Sequence, residues 1–121
     1  MVTKRCLLLA SMLPLVAMAA TPDDETVAGF LAQCASRDQA QRQVCELKVT
    51  MTAKSLVMNP DGTYCLGAAE NALPALTLQR QQSDMVAAWL MAHPEYKDKP
   101  QDAAVLEALR ASYPCKRQGR R

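Results

Sequence analysis

Four cysteines, Cys34, Cys45, Cys65 and Cys115, follow an N-terminal stretch with the make-up of an export signal, and the fifth, Cys6, lies inside that stretch. Removing the leader turns an odd set into an even one. In a short exported chain an even set implies a disulfide framework, because small domains outside the cytoplasm lack the core volume to hold themselves together and meet an oxidising environment. The expected molecule is a small domain with two staples.

The leader carries the three parts that export requires. Lys4 and Arg5 make its start basic, Cys6–Ala10 and Met12–Ala19 are apolar, and Ala17-Met18-Ala19 offers a small-x-small cleavage site. We read residues 1–19 as a cleaved signal peptide and the mature protein as periplasmic. The apolar stretch is broken by Ser11 and Pro14 and falls short of the ~20 residues that span a bilayer, so a membrane anchor is not expected. A lipoprotein is not expected either, since no cysteine follows the small residues that close the stretch.

About 102 residues then remain, enough for one core that buries ~65% of the unfolded surface. The sequence divides into a domain over residues 20–115 and a tail over 116–121. Cleavage takes two of the fourteen basic residues and none of the twelve acidic ones, so the mature chain is formally neutral. Lys116, Arg117, Arg120 and Arg121 lie in the tail, which leaves the body mildly acidic. A terminal basic cluster of this kind reads as a solvated end, not as a nucleic-acid or membrane-binding element.

Apolar spacing predicts helices and almost no strand. The first opens at Thr21-Pro22-Asp23-Asp24, a hydroxyl cap, a proline suited to the first turn and acids facing the positive end of the helix dipole. Val27, Phe30, Leu31 and Cys34 form its stripe. The second runs from about Asp38 to Met58, with Val44, Leu47, Met51 and Met58 on one side and Cys45, Val49, Thr52 and Leu56 on a neighbouring one. Asn59-Pro60-Asp61-Gly62 stops it. From Thr63 to Ala75 the periodicity fails, which predicts a long ordered loop or short helical turns around Cys65. A third helix starts near Thr77, carries Leu78, Met85, Val86, Trp89 and Leu90 inward, and ends at His93-Pro94. A fourth opens at Pro100 with Asp102 in its first turn, buries Val105, Leu106 and Leu109, and ends at Pro114.

The fold class is therefore all-α, a small disulfide-stapled bundle of about four helices. Four cysteines allow three connectivities. In an up-and-down bundle the end of the first helix meets the start of the second at one pole, and the loop after the second meets the end of the fourth at the other. That geometry favours Cys34 with Cys45 and Cys65 with Cys115.

Catalytic chemistry finds few candidates. His93 is the only histidine, and its place before a proline makes it a terminating residue. No serine stands in a nucleophile elbow, and a catalytic thiol would be oxidised in this compartment. The cysteines lack the close CxxC spacing of a zinc site, no Gly-rich phosphate loop exists, and the Asp23-Asp24-Glu25 cluster suits a helix start. We expect no enzyme and no cofactor.

Phe30-Leu31-x-x-Cys34, then Cys45, then Tyr64-Cys65-Leu66, then Val86 to Leu90 with His93-Pro94-Glu95, then Ala104, Ala108-Leu109 and Tyr113-Pro114-Cys115 together resemble the Rap and Tai immunity proteins. The resemblance covers Phe30 to Cys115 and departs at Lys48-Val49-Thr50-Met51 and at Gly67. Members of that family are small, exported and helical, belong to type VI secretion loci, and protect a bacterium from peptidoglycan amidases. The resemblance implies a protein partner of that kind, often with the immunity protein as a homodimer, and inhibition by a loop pushed into the amidase cleft. The loop candidates here are Asp61, Gly62, Thr63, Tyr64 and Leu66. Tyr64 is the expected anchor, since a tyrosine offers contact area and a polar tip; the alternative for Tyr64, and the expected role of Leu66, is to cover the disulfide. The alternatives are a general periplasmic binding module or a small stress-related chaperone.

Overall fold

The computed structural model describes residues 26–115; the leader, the Thr21–Asp24 cap and the basic tail lie outside them. The elements are α1 (Val27–Cys34), α2 (Gln39–Met58), α3 (Ala68–Asn71), α4 (Ala75–Met91), a 3₁₀ turn (Pro94–Tyr96) and α5 (Gln101–Ser112). The four long helices are those read from the sequence. The short α3 supplies a helical turn inside the aperiodic segment.

Local chemistry sets the ends. Thr26 caps α1: its backbone is extended and its hydroxyl accepts from the Gly29 N–H at 3.3 Å, satisfying an amide that the first turn leaves free. Asp38 caps α2 by accepting from Ala40 at 3.0 Å. Asn59-Pro60 ends α2, since proline restricts the residue before it to extended conformations. α4 begins at Ala75, with Pro74 as its extended cap, two residues before the expected Thr77. Pro100 plays the same part for α5, where Asp102 lies in the first turn and Arg110 in the last, each matched to the helix dipole.

The helices meet on one core. α4 packs on α5, α1 on α2, and α2 on α4, around the fully buried Val27, Phe30, Val49, Val86, Leu90, Val105 and Leu109. Ala53, Ala104 and Ala108 let the backbones approach. An isolated bridge between Thr26 and Pro100 ties the start of α1 to the start of α5. Lys48 of α2 donates to Gln33 of α1 at 3.2 Å and to Gln101 of α5 at 2.6 Å, so one ammonium group joins three helices.

Two details differ from the expected burial. On α2 the core face is Cys45, Val49, Ala53 and Leu56, while Leu47, Met51 and Met58 are exposed. On α4, Met85 is exposed although Val86 and Leu90 are buried. Both follow from the layout, since each helix contacts its neighbours over one arc and a second apolar row falls outside it. Leu78, Trp89 and Leu106 are half-buried.

The disulfides are Cys34–Cys45 and Cys65–Cys115, the pairs favoured by bundle geometry, with Cα–Cα distances of 5.1 and 4.7 Å. Among the described residues no helix is long and apolar enough to cross a membrane.

Candidate functional site

The irregular segment between α2 and α3 is a pinned loop. Gly62 takes a φ of +81° with open space around it, a left-handed conformation that a residue without Cβ adopts at no steric cost. The turn it makes folds Asp61 and Thr63 together: one Asp61 carboxylate oxygen accepts from the Thr63 N–H at 3.0 Å and from the Thr63 hydroxyl at 2.5 Å. The other oxygen lies 2.6 Å from the Arg110 guanidinium on α5, which also reaches Glu107 at 4.0 Å. These donors hold the Asp61 carboxyl at a pKa of about 2, the two Thr63 hydrogen bonds first and Arg110 after them.

Past the turn the chain dives towards the core. The Tyr64 hydroxyl accepts a hydrogen bond from the side-chain amide of the buried Gln82 on α4 at 2.5 Å. Its ring meets Tyr113 edge to face, with centroids 6.0 Å apart, and Tyr113 in turn donates to Gln81 at 3.0 Å. The Cys65 N–H donates to the Tyr113 carbonyl at 2.8 Å beside the disulfide to Cys115. The Gly67 N–H donates to Glu70 at 2.8 Å and opens α3. Burial raises the Tyr64 pKa and pushes Tyr113 up to about 12, with the Tyr64 and Glu70 charges adding to the effect on Tyr113.

The five sequence candidates thus divide. Asp61, Gly62 and Thr63 form an exposed tip, whereas Tyr64 and Leu66 are half-buried against the core cluster. Sequence reasoning missed Gln81, Gln82, Arg110 and Tyr113, the residues that hold the loop. Gln82 carried a signal, because it stands four residues before Val86 and eight before Leu90 on the same buried stripe. Arg110 carried none, since nothing in the chain announces its approach to Asp61 from so far away.

The opposite pole holds His93. Its Nδ1 lies 2.7 Å from the Trp89 carbonyl, and its ring stacks on the Trp89 indole at 3.7 Å with Tyr96 edge-on to that indole at 5.2 Å. Its ring nitrogen thus meets a main-chain carbonyl, and its neighbours are aromatic rings. Among the described residues no group of three or more His, Cys, Asp or Glu side chains is arranged to hold a metal ion.

The loop is thus held to α4 and α5 by side-chain hydrogen bonds while its tip stays exposed. The model of the Rap1a immunity proteins matches residues 26–115. The chain belongs to the Rap1a immunity protein family. No curated protein and no solved structure gives a significant match to the chain. The matched span begins at the α1 cap and ends at the last staple cysteine, so the family domain coincides with the described fold. Immunity proteins of this kind act by binding a protein toxin and are in general non-catalytic.

Proposed function

We propose that this Rap1a family member is a periplasmic immunity protein of a type VI secretion system, which binds a peptidoglycan amidase and closes its cleft with the loop Asp61–Leu66. In this reading residues 1–19 are cut off on export, residues 20–115 form the binding domain and 116–121 a solvated tail. The supporting observation is the state of the loop. Its tip is exposed, yet Arg110 holds Asp61 and Gln82 holds Tyr64. A segment already fixed before it binds loses little further conformational freedom on association, which favours affinity. Tyr64 contributes by setting the angle at which the tip leaves the body, with its ring edge available at the base. Gly62 allows the tight turn that makes the tip narrow enough for a cleft.

The test is reconstitution with exported peptidoglycan amidases of type VI secretion systems, beginning with any that is encoded beside this gene. Calorimetry and a peptidoglycan digestion assay should give a tight complex and loss of amidase activity. Tyr64→Ala and a Gly62→Val change should each weaken binding by at least tenfold. Sedimentation of the free protein and of the complex reads out the homodimer that belongs to the same proposal. Full amidase activity in the presence of excess protein overturns the reading.

A further inference from the structure

Among the described residues the outer face of α2 is left exposed, and its chemistry is specific. Val44, Leu47, Met51, Lys54 and Met58 follow one another at intervals of three, four, three and four residues, the spacing that keeps a row straight along a helix seated on another helix. Leu47, Met51 and Met58 are 54, 60 and 75% exposed. Single exposed apolar residues are ordinary; a row of them opposite a helix's buried face is not. The row continues sideways into a groove of about 230 Å³ between α2 and α5, lined by Lys48, Met51, Thr52, Gln101, Asp102 and Val105.

Charge selects the occupant. Lys54 stands within the row, and Lys48 lines the groove beside it. The only acid on α2, Glu46, is turned away towards Arg80, 3.6 Å from its Nε. Among the described residues that line the groove, Asp102 is the one carboxylate. Lys48 is held by two neutral amides, so its charge is not cancelled. A second copy laid antiparallel across a twofold at Met51 would set Lys48 against Lys54 twice, an arrangement of like charges that opposes pairing. A bilayer is a poor fit as well, because a single row on a folded body offers little apolar width to insert.

We infer that the α2 row and the α2–α5 groove form a second docking surface, which takes the apolar face of an acidic amphipathic helix on a partner protein. Methionines suit such a seat, since their unbranched side chains adapt to the ridge they meet. The row ends at Met58, immediately before the loop 59–67, so one partner can occupy the loop and the row together. The assignment does not depend on which toxin the loop meets.

The test uses two synthetic helical peptides of about 18 residues, long enough to form a helix. They share one leucine face; one is flanked by glutamates, the other by lysines. Fluorescence anisotropy with the mature protein should show saturable binding of the acidic peptide, weakened by added salt, and at least tenfold weaker binding of the basic one. The double variant Leu47→Ser/Met51→Ser should lower affinity for the acidic peptide at least tenfold, and Lys54→Glu severalfold. Met85→Ser, an exposed methionine elsewhere, should leave it unchanged. Unchanged melting curves confirm that the substituted proteins fold. Equal affinity for both peptides, no binding of the acidic one, a dimer that Met51→Glu dissolves, or Met51-dependent binding to phosphatidylglycerol vesicles would each overturn the inference.

Discussion

The carboxylate of Asp61 lies 2.6 Å from the guanidinium of Arg110, forty-nine positions further along the chain. This pair joins the tip of an exposed loop to the last turn of the last helix. Together with the Cys65–Cys115 disulfide it closes one pole of the bundle, so the loop that meets solvent is also tethered to the fold.

The Asp61 carboxyl should titrate near 2, well below its ordinary 3.8. A carboxylate with a lowered folded-state pKa stabilises the protein above the unfolded value and loses that contribution as pH falls through the folded one. The loss therefore falls between pH 3.8 and about 2. Carboxyl NMR should show Thr63→Val raising the Asp61 pKa more than Arg110→Gln does, because the Thr63 hydrogen bonds are the larger cause. The reverse order would mean that the ion pair, not the turn, holds the charge.

Tyr64→Phe should destabilise the protein by about 1–3 kcal/mol, since it leaves the buried Gln82 amide without its acceptor. Combining it with Gln82→Leu should cost less than the two single changes added together, as neither polar group is then left unpaired. Chemical denaturation of the four proteins completes the cycle. Strict additivity would show that the hydrogen bond contributes nothing of its own.

Opening the two disulfides should have unequal results. They close loops with sequence separations of 11 and 50, for which chain entropy gives about 3 and about 4 kcal/mol. Cys65→Ser should in addition weaken toxin binding more than Cys34→Ser at matched stability, because Cys65 anchors the loop and Cys34 ties α1 to α2 at the other pole. Equal effects on binding would make the loop mere scaffold.

Tyrosine absorbance should show Tyr113 ionising only at about 12 and Tyr64 above its ordinary 10.0. For a group whose folded-state pKa is raised, stability is complete below the unfolded value and is lost as pH rises through the folded one. Alkaline destabilisation should thus begin above pH 10 and grow towards 12. Tyr113→Phe should make the loss of stability between pH 10 and 12 smaller, as followed by circular dichroism.

Much of the architecture was legible because it rests on local rules. The Asp38 cap, the Pro100 start and the Asn59-Pro60 stop each follow from a few neighbouring residues. The cysteine pairing followed once helix order was known, since short connections force adjacent helices to run antiparallel. Burial was less legible. Leu47, Met51 and Met58 form as good a stripe as Cys45, Val49 and Leu56, and periodicity cannot tell which of two apolar rows the neighbours will cover. The loop was recognised by its missing periodicity, but its clamps were not, because Arg110 and Gln82 look like any other polar residues of a helix.

The sequence by itself determined an all-helical domain, the positions of its breaks and the four cysteines that staple it, since hydrogen bonding, proline geometry and apolar spacing act within a few residues. Only the tertiary structure decided which face of α2 was buried, that Tyr64 turns inward to Gln82, and that Asp61 finds Arg110. Those outcomes depend on how four helices share one core, and the chain brings the partners together only after the backbone between them has folded.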